Sequence, residues 1–372
     1  MKISLLSAFY PYRGGIAQFS AMLYRALELE NEVKAHTFKR QYPSFLFPGT
    51  SQFVTADDNP DKIDAKRTLD TLNPCSFRST ASVINAFEPD VFIGQYWMTF
   101  FGPSMGVVHK RLNRKTKRIS ILHNVIPHEK RFFDKRANNF FLKQNDGFVV
   151  MSDAVLKDLL SLKPDAKYLR LDHPVYSQFG VKKNQGDAIK ELGLPVGKKY
   201  LLFFGFIRDY KGLDLLLEAL ADVETDIHLI VAGEVYGSFA PYQQRIDALH
   251  LGERVHLFNN YISDAEVGVY FSAADVCMLP YKGATQSGIT AISHHFDLPI
   301  IATDVGGLKE KTRHNETGLI VKKPQADLIS SEITRYFLEG LKPSFSRNLQ
   351  AEKSADSWGD FAKSILEFSK SL

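Results

Sequence analysis

The stretch Tyr281–Glu310, YKGATQSGITAISHHFDLPIIATDVGGLKE, decides the fold. It leaves the apolar run Asp275–Tyr281 (DVCMLPY), crosses a turn of small and polar residues at Gly283–Gly288, and enters a predicted helix. A second apolar run, Pro299–Thr303, follows, then a Gly306-Gly307 turn with an acid at Glu310. A turn of small residues between a strand and a helix N-terminus is a ready anion site. Free backbone N–H groups and the positive end of the helix dipole both face the loop. Phosphate is the ligand such a site most often holds.

The same rhythm extends in both directions. Predicted strands fall at Lys2–Phe9, Val33–Phe38, Asp90–Trp97, Arg118–Val125 and Gly147–Met151. The segment His173–Lys199 loses the pattern, gains Gly, Lys and Pro, and reads as an inter-domain linker. Strands then resume at Tyr200–Phe206, Ile227–Ala232, Arg254–Asn259, Asp275–Pro280, Pro299–Ala302 and Gly318–Val321. Amphipathic helical spacing appears at Ile16–Leu27, Leu213–Leu220 and Trp358–Phe368. Two successive doubly wound α/β domains follow from this, and a length of 372 residues suits two domains. Between Gln41 and Arg67 the pattern fails, with three prolines and scattered aromatics. Loops that long are usually functional or mobile.

Composition narrows the classes. Hydrophobic residues make up 44% and charged residues 24%, enough to build cores, and the net charge of +4 is too mild for a general nucleic-acid binder. Cys75 and Cys277 are the only cysteines, far apart, so neither a disulfide framework nor a thiolate metal site is expected. The N-terminal apolar run ends at Pro11 and reads as a core strand. No apolar run approaches the ~20 residues of a spanning helix. A cytoplasmic protein, at most peripheral to the inner face of the membrane, is the expectation.

A second chemical signal is Phe204–Gly212, FGFIRDYKG. A strand ends at Gly205, Arg208 and Lys211 stand three apart, and Gly212 opens an amphipathic helix. Arg supplies a planar fork and Lys a mobile point charge, a combination that suits a diphosphate. An ordinary loop would carry the same two as solvated charges.

Taken together, these stretches resemble retaining glycosyltransferases of family 4, whose fold is GT-B: two Rossmann-like doubly wound domains facing across a cleft. Pro299-Ile300-Ile301-Ala302-Thr303, the Gly306-Gly307 turn and Glu310 match the end of the family's donor-site pattern. Arg208 and Lys211 match its basic pair, which holds the donor diphosphate. The sequence departs from the family at two glutamates, eight positions apart, which would fall near Ala284 and Ile292. Thr285, Gln286, Ser287 and Gly288 occupy the loop instead, offering hydroxyls, an amide and a helix cap.

The resemblance implies domains at 1–180 and 181–352, with 353–372 a helix that packs back on the first domain. Gly14 and Gly15 match the N-terminal glycine loop, although alone they are a tight turn. His123, in ISILHNVIP, matches a histidine near the transferred sugar; a lone histidine is more often a satisfied core residue. Gly233 and Glu234 match a strand-ending pair, Asn260, Tyr261 and Ile262 would lie near the nucleotide base, and Glu310 would face the ribose or orient its helix. The catalytic set is then His123, Arg208 and Lys211. A nucleotide-diphosphate sugar is the implied donor, with no cofactor, no metal and no nucleic acid. A glycan or polyprenyl-linked acceptor is implied, in cell-surface polysaccharide assembly. His109–Arg118 (HKRLNRKTKR) carries six Lys and Arg residues, read either as a solvated helix end or as a peripheral membrane contact. Two alternatives stay open: a nucleotide-sugar epimerase on the same fold, and a non-catalytic nucleotide-sugar-binding protein.

Overall fold

A computed structural model describes residues 1–42, 52–54, 60–126, 134–174, 179–284, 287–352 and 358–372. The described residues of 1–174 and 358–372 form one compact unit, and those of 179–352 form another.

The first unit is built on seven strands: β1 (Lys2–Leu6), β2 (Glu32–Arg40), β3 (Ala65–Asp70), β4 (Val91–Tyr96), β5 (Lys117–Leu122), β6 (Gly147–Val150) and β7 (Tyr168–Arg170). They pair in parallel in the order β3-β2-β1-β4-β5-β6-β7, with Ile3 opposite Val33 on one side and Val91 on the other. Helices α1 (Gly15–Glu28), α2 (Pro74–Asn85), α3 (Gly102–Lys110), α4 (Asp134–Leu142) and α5 (Asp153–Leu162) are the crossovers. Parallel strands covered on both faces are apolar along their length, and the central strand β4, VFIGQY, is buried at every position. The C-terminal helix, Trp358–Lys370, belongs to this unit. Its Trp358 and Phe361 rings meet Phe19 of α1 edge-on, at centroid distances of 5.0 and 5.8 Å.

Two strands of this sheet were not predicted. β3, AKRTLD, lies at the sheet edge, where only Thr68 and Leu69 are buried. Edge strands tolerate charge, so the apolar run that signals a strand is missing. β7 is a three-residue edge strand.

In the second unit, β8 (Lys199–Phe204), β9 (Ile227–Ala232), β10 (Val255–Phe258), β11 (Val276–Leu279), β12 (Ile300–Thr303) and β13 (Gly318–Val321) are parallel, in the order β10-β9-β8-β11-β12-β13. Helices α6 (Gln185–Glu191), α7 (Leu213–Ala221), α8 (Ala240–Ala248), α9 (Asp264–Ala273), α10 (Gly288–His295), α11 (Ala326–Leu338) and α12 (Lys342–Glu352) surround them. All six strands were legible as apolar runs. The segment read as a linker contains α6, capped by Asn184, whose Oδ1 accepts from Gly186 N. Gln185 of α6 donates to the Asp275 carboxylate, which also accepts from Tyr200 N and Lys342 Nζ. One half-buried carboxylate thus ties α6, β8 and α12 to the start of β11.

Candidate active site

In the second unit the strand order reverses between β8 and β11. A doubly wound sheet holds its ligands in the crevice outside the carboxyl ends of the two strands at such a point. The loops that leave β8 and β11 are Gly205–Gly212 and Pro280–Ser287, the two stretches in which the sequence concentrates its signals.

After β8 the chain turns at Gly205, Ile207 bridges in parallel to Val235, and a single 3₁₀ turn covers Asp209–Lys211. Gly212 then starts α7 with φ of 72°. A Cβ there would run into the Pro280 carbonyl, so only glycine lets this loop pass against the end of β11. Gly233 has φ of 144° and lies against the Gly205 carbonyl, where a side chain would collide. The second loop is fastened to the first. Lys282 N donates to the Tyr210 carbonyl at 2.7 Å, and Lys282 Nζ lies 2.9 Å from both Asp209 and Asp214.

Among the described residues, this packing leaves two cations without a carboxylate counter-ion. Lys211 is 8% exposed, with Nζ 3.1 Å from where a Gly205 Cβ would stand and 5.7 Å from the Tyr281 ring centroid. Among the described residues no carboxylate pairs with Lys211 or with Arg208. Burial, then the charge of Arg208, lowers the Lys211 pKa to about 8 from its ordinary 10.5. The half-buried Arg208 guanidinium lies 4.1 Å over the Tyr236 ring and 5.4 Å from that of Tyr210. Aromatic faces hold a cation without cancelling its charge. An anion with two or more acidic oxygens is the complementary ligand.

On the other side of the crevice, Ser287 caps α10, its Oγ accepting from Ile289 N at 3.3 Å and meeting the Tyr281 hydroxyl at 3.3 Å. Gly288, the first residue of α10, is exposed. Thr285 and Gln286 lie outside the described residues. Ile292 is buried, so one position that the resemblance gives to an acid is apolar here.

The remaining candidates of this unit follow other strands at the same carboxyl edge. Gly233 and the buried Glu234 come after β9, and the Glu234 carbonyl accepts from Ile207 N at 2.9 Å. Asn260, Tyr261 and Ile262 come after β10; Asn260 is exposed and its amide donates to the Tyr261 carbonyl. Glu310 ends a 3₁₀ turn after β12 and is half-buried. With strands about 4.8 Å apart, these loops span the ~20 Å that separate β10 from β12.

His123, Gly14 and Gly15 belong to the first unit. They sit at the carboxyl edge of its own sheet, after β5 and β1. Gly14 is the N-cap of α1, with φ of 99° and no side-chain cap. His123 is 7% exposed, its ring edge-on to Phe19 at 4.8 Å and its Nε2 3.0 Å from Gln95 Oε1. With that oxygen as acceptor, Nε2 carries the proton. Burial, reinforced by His173, lowers the imidazole pKa to about 3, so the ring is neutral and acts as a hydrogen-bonding group, not as a cation.

Tyr281, Lys282 and Asp209 were missed as site residues. Tyr281 closes an apolar run and looks like strand, and Lys282 looks like a solvated charge. One signal was available: an acid between Arg208 and Lys211 would neutralise them unless another cation held it. Among the described residues no cluster of three or more His, Cys, Asp or Glu is arranged to hold a metal ion, and no helix is long and apolar enough to cross a membrane.

Residues 184–354 match the family described as Glycosyl transferases group 1. A D-inositol 3-phosphate glycosyltransferase of Corynebacterium diphtheriae is 28% identical over 150 residues, covering 38% of this chain and 35% of the relative. A putative teichuronic acid biosynthesis glycosyltransferase, TuaC of Bacillus subtilis, is 25% identical over 174 residues, 46% of this chain and 41% of the relative. The chain thus spans well under half the length of these curated relatives. Among solved structures, Anabaena Alr3699/HepE in complex with UDP-glucose superposes with a TM-score of 0.77 at 15% identity, covering 100% of each chain. At that identity the likeness shows the fold, which is the GT-B architecture of two Rossmann-like sheets.

Proposed function

We propose that this chain, whose residues 184–354 match the family described as Glycosyl transferases group 1, moves a sugar from a nucleotide-diphosphate sugar to a glycan or lipid-linked acceptor with retention of configuration. The observation that carries the reading is the pair Arg208 and Lys211 at the switch point of β8 and β11, both without a carboxylate partner among the described residues. In transfer from such a donor the bond from the sugar C1 to the diphosphate oxygen breaks, and its electron pair leaves with the diphosphate. The acceptor oxygen bonds to C1 on the same face, and its proton passes to the departing phosphate oxygen. The negative charge that grows on the leaving group is stabilised by Arg208, Lys211 and the N–H groups at the start of α10. His123, neutral and hydrogen-bonding, orients the transferred sugar.

Support for a nucleotide donor comes from the UDP-glucose complex of the structural neighbour, and for a polysaccharide setting from the teichuronic acid relative. Lys110, Arg111, Arg114 and Lys115 are exposed at the end of α3. We assign them to an anionic membrane surface that carries the acceptor, each contributing roughly 1 kcal/mol. The test is release of nucleoside diphosphate from UDP-, GDP- and ADP-sugars, with the anomeric configuration of the product read by NMR. Release that is lost in Lys211→Ala, with a retained anomer, supports the reading. Tight binding of a nucleotide sugar without any turnover would leave a binding protein instead.

A further inference from the structure

We infer that Tyr281 is a positioning residue: its buried ring is the seat that holds the Lys211 ammonium charged and aimed over the Gly205 turn. The inference rests on the assignment of Lys211 to a donor diphosphate.

The geometry is specific. Tyr281 is 3% exposed, and the Lys211 nitrogen lies 5.7 Å from its ring centroid. Tyr281 is held at three points, through its ring, its hydroxyl and its backbone carbonyl. Tyr210 meets it edge-on at 6.0 Å, its hydroxyl lies 3.3 Å from Ser287 Oγ, and its carbonyl accepts from Thr303 Oγ1 at 2.6 Å. The next residue, Lys282, ties the backbone to the Tyr210 carbonyl, so the seat cannot drift away from the turn that carries Lys211.

A buried ammonium normally survives by pairing with a carboxylate. That solution would defeat an anion-binding lysine, because the ligand would have to displace the partner. An aromatic face is the negative part of a quadrupole that carries no net charge, so it offsets lost hydration while leaving the whole positive charge for the ligand. The acid that could have paired, Asp209, is turned to Lys282. The other ionisable groups that act on Lys211 are Arg208 on its own turn and the Cys277 thiol of β11. Burial pushes that thiol up to about 12, so it is neutral wherever the protein works. Burial and Arg208 work against the charge on Lys211, and the ring 5.7 Å away is the contact that opposes them.

The test measures affinity for a nucleoside diphosphate, the tightest of UDP, GDP and ADP, across a pH range in which the ligand's own charge is constant. Three proteins are compared: the parent, Tyr281→Phe, and the same chain with pentafluorophenylalanine at position 281, whose ring has the shape of phenylalanine and a reversed quadrupole. The parent loses affinity about tenfold per pH unit above the Lys211 pKa. Tyr281→Phe keeps that break, and the fluorinated ring lowers it by about half a pH unit or more. A ring with a merely structural role moves nothing on fluorination, and an unmoved break overturns the inference while the donor site stands. Lys211→Met is the control. If it binds as the parent does, or if no diphosphate binds, the donor-site reading fails and takes this inference with it.

Discussion

The Lys282 ammonium lies 2.9 Å from a carboxylate oxygen of Asp209, the single acid in a turn that otherwise carries Arg208 and Lys211. The same ammonium reaches Asp214 at 2.9 Å. One lysine on the loop after β11 therefore holds both Asp209 and Asp214, and among the described residues no carboxylate pairs with Arg208 or Lys211.

Lys282→Ala frees both acids. The Asp209 side chain is 85% exposed, so this ion pair adds little stability, and we expect the variant to lose no more than about 1 kcal/mol. Donor affinity falls further, several-fold, because Asp209 is released to compete for Arg208. Paired denaturation and binding curves check this; equal losses in both would show that Lys282 is only a staple.

Lys211 sets function against stability. Its pKa in the folded protein, about 8, is below the 10.5 of the unfolded chain, so the unfolded state binds more protons between those values and stability rises with pH across that window. The charged, unpaired ammonium costs the free protein about 3 kcal/mol at neutral pH. Lys211→Met should therefore be more stable than the parent at pH 7, with the difference shrinking as pH rises from 8 toward 10.5, while turnover falls by roughly 10² to 10³. Urea curves at pH 7 and pH 9.5 with a turnover assay decide it. A variant that is less stable at pH 7 would contradict the unpaired-charge account.

Much of this was readable in advance. Five of the six strands of the second sheet are buried or nearly so, the edge strand β10 is only partly buried, and each shows as an apolar run. The glycines at 205, 212 and 233 stand where the backbone admits little else. What was not readable depends on contacts between distant segments. Tyr281 meets Lys211 across 70 positions of chain, and no local pattern distinguishes a strand-ending tyrosine from a cation seat. β3 was hidden by its edge position and α6 by its shortness, since both carry too few buried residues to impose a period.

Gly212→Ala tests how closely the two loops approach. The added methyl collides with the Pro280 carbonyl and forces alanine into a left-handed conformation. We expect a loss of about 2–4 kcal/mol in stability, with donor binding lost as well. A loss below about 0.5 kcal/mol, measured by urea denaturation, would mean that the turn relaxes and that its geometry is not imposed.

His123 should stay neutral. Its pKa of about 3 predicts imidazole chemical shifts that do not titrate between pH 5 and 8, and no limb in the pH–rate profile that belongs to this residue. His123→Ala still lowers turnover, by about 10-fold or more, through loss of a positioned hydrogen bond. An imidazole that titrates near pH 6 would place His123 in a more polar setting than this one.

The most direct test of the central claim, that Arg208 and Lys211 are built to receive a nucleotide diphosphate, is a thermal-shift series with UDP, GDP, ADP and CMP and their sugars on the parent protein and on Arg208→Ala. A ligand at about 100 times its dissociation constant adds about 2.7 kcal/mol, a shift of several degrees. The account predicts a selective rise with one diphosphate and its sugar, absent with the monophosphate and abolished in Arg208→Ala. An equal rise in both proteins, or no rise with any of the series, would contradict it.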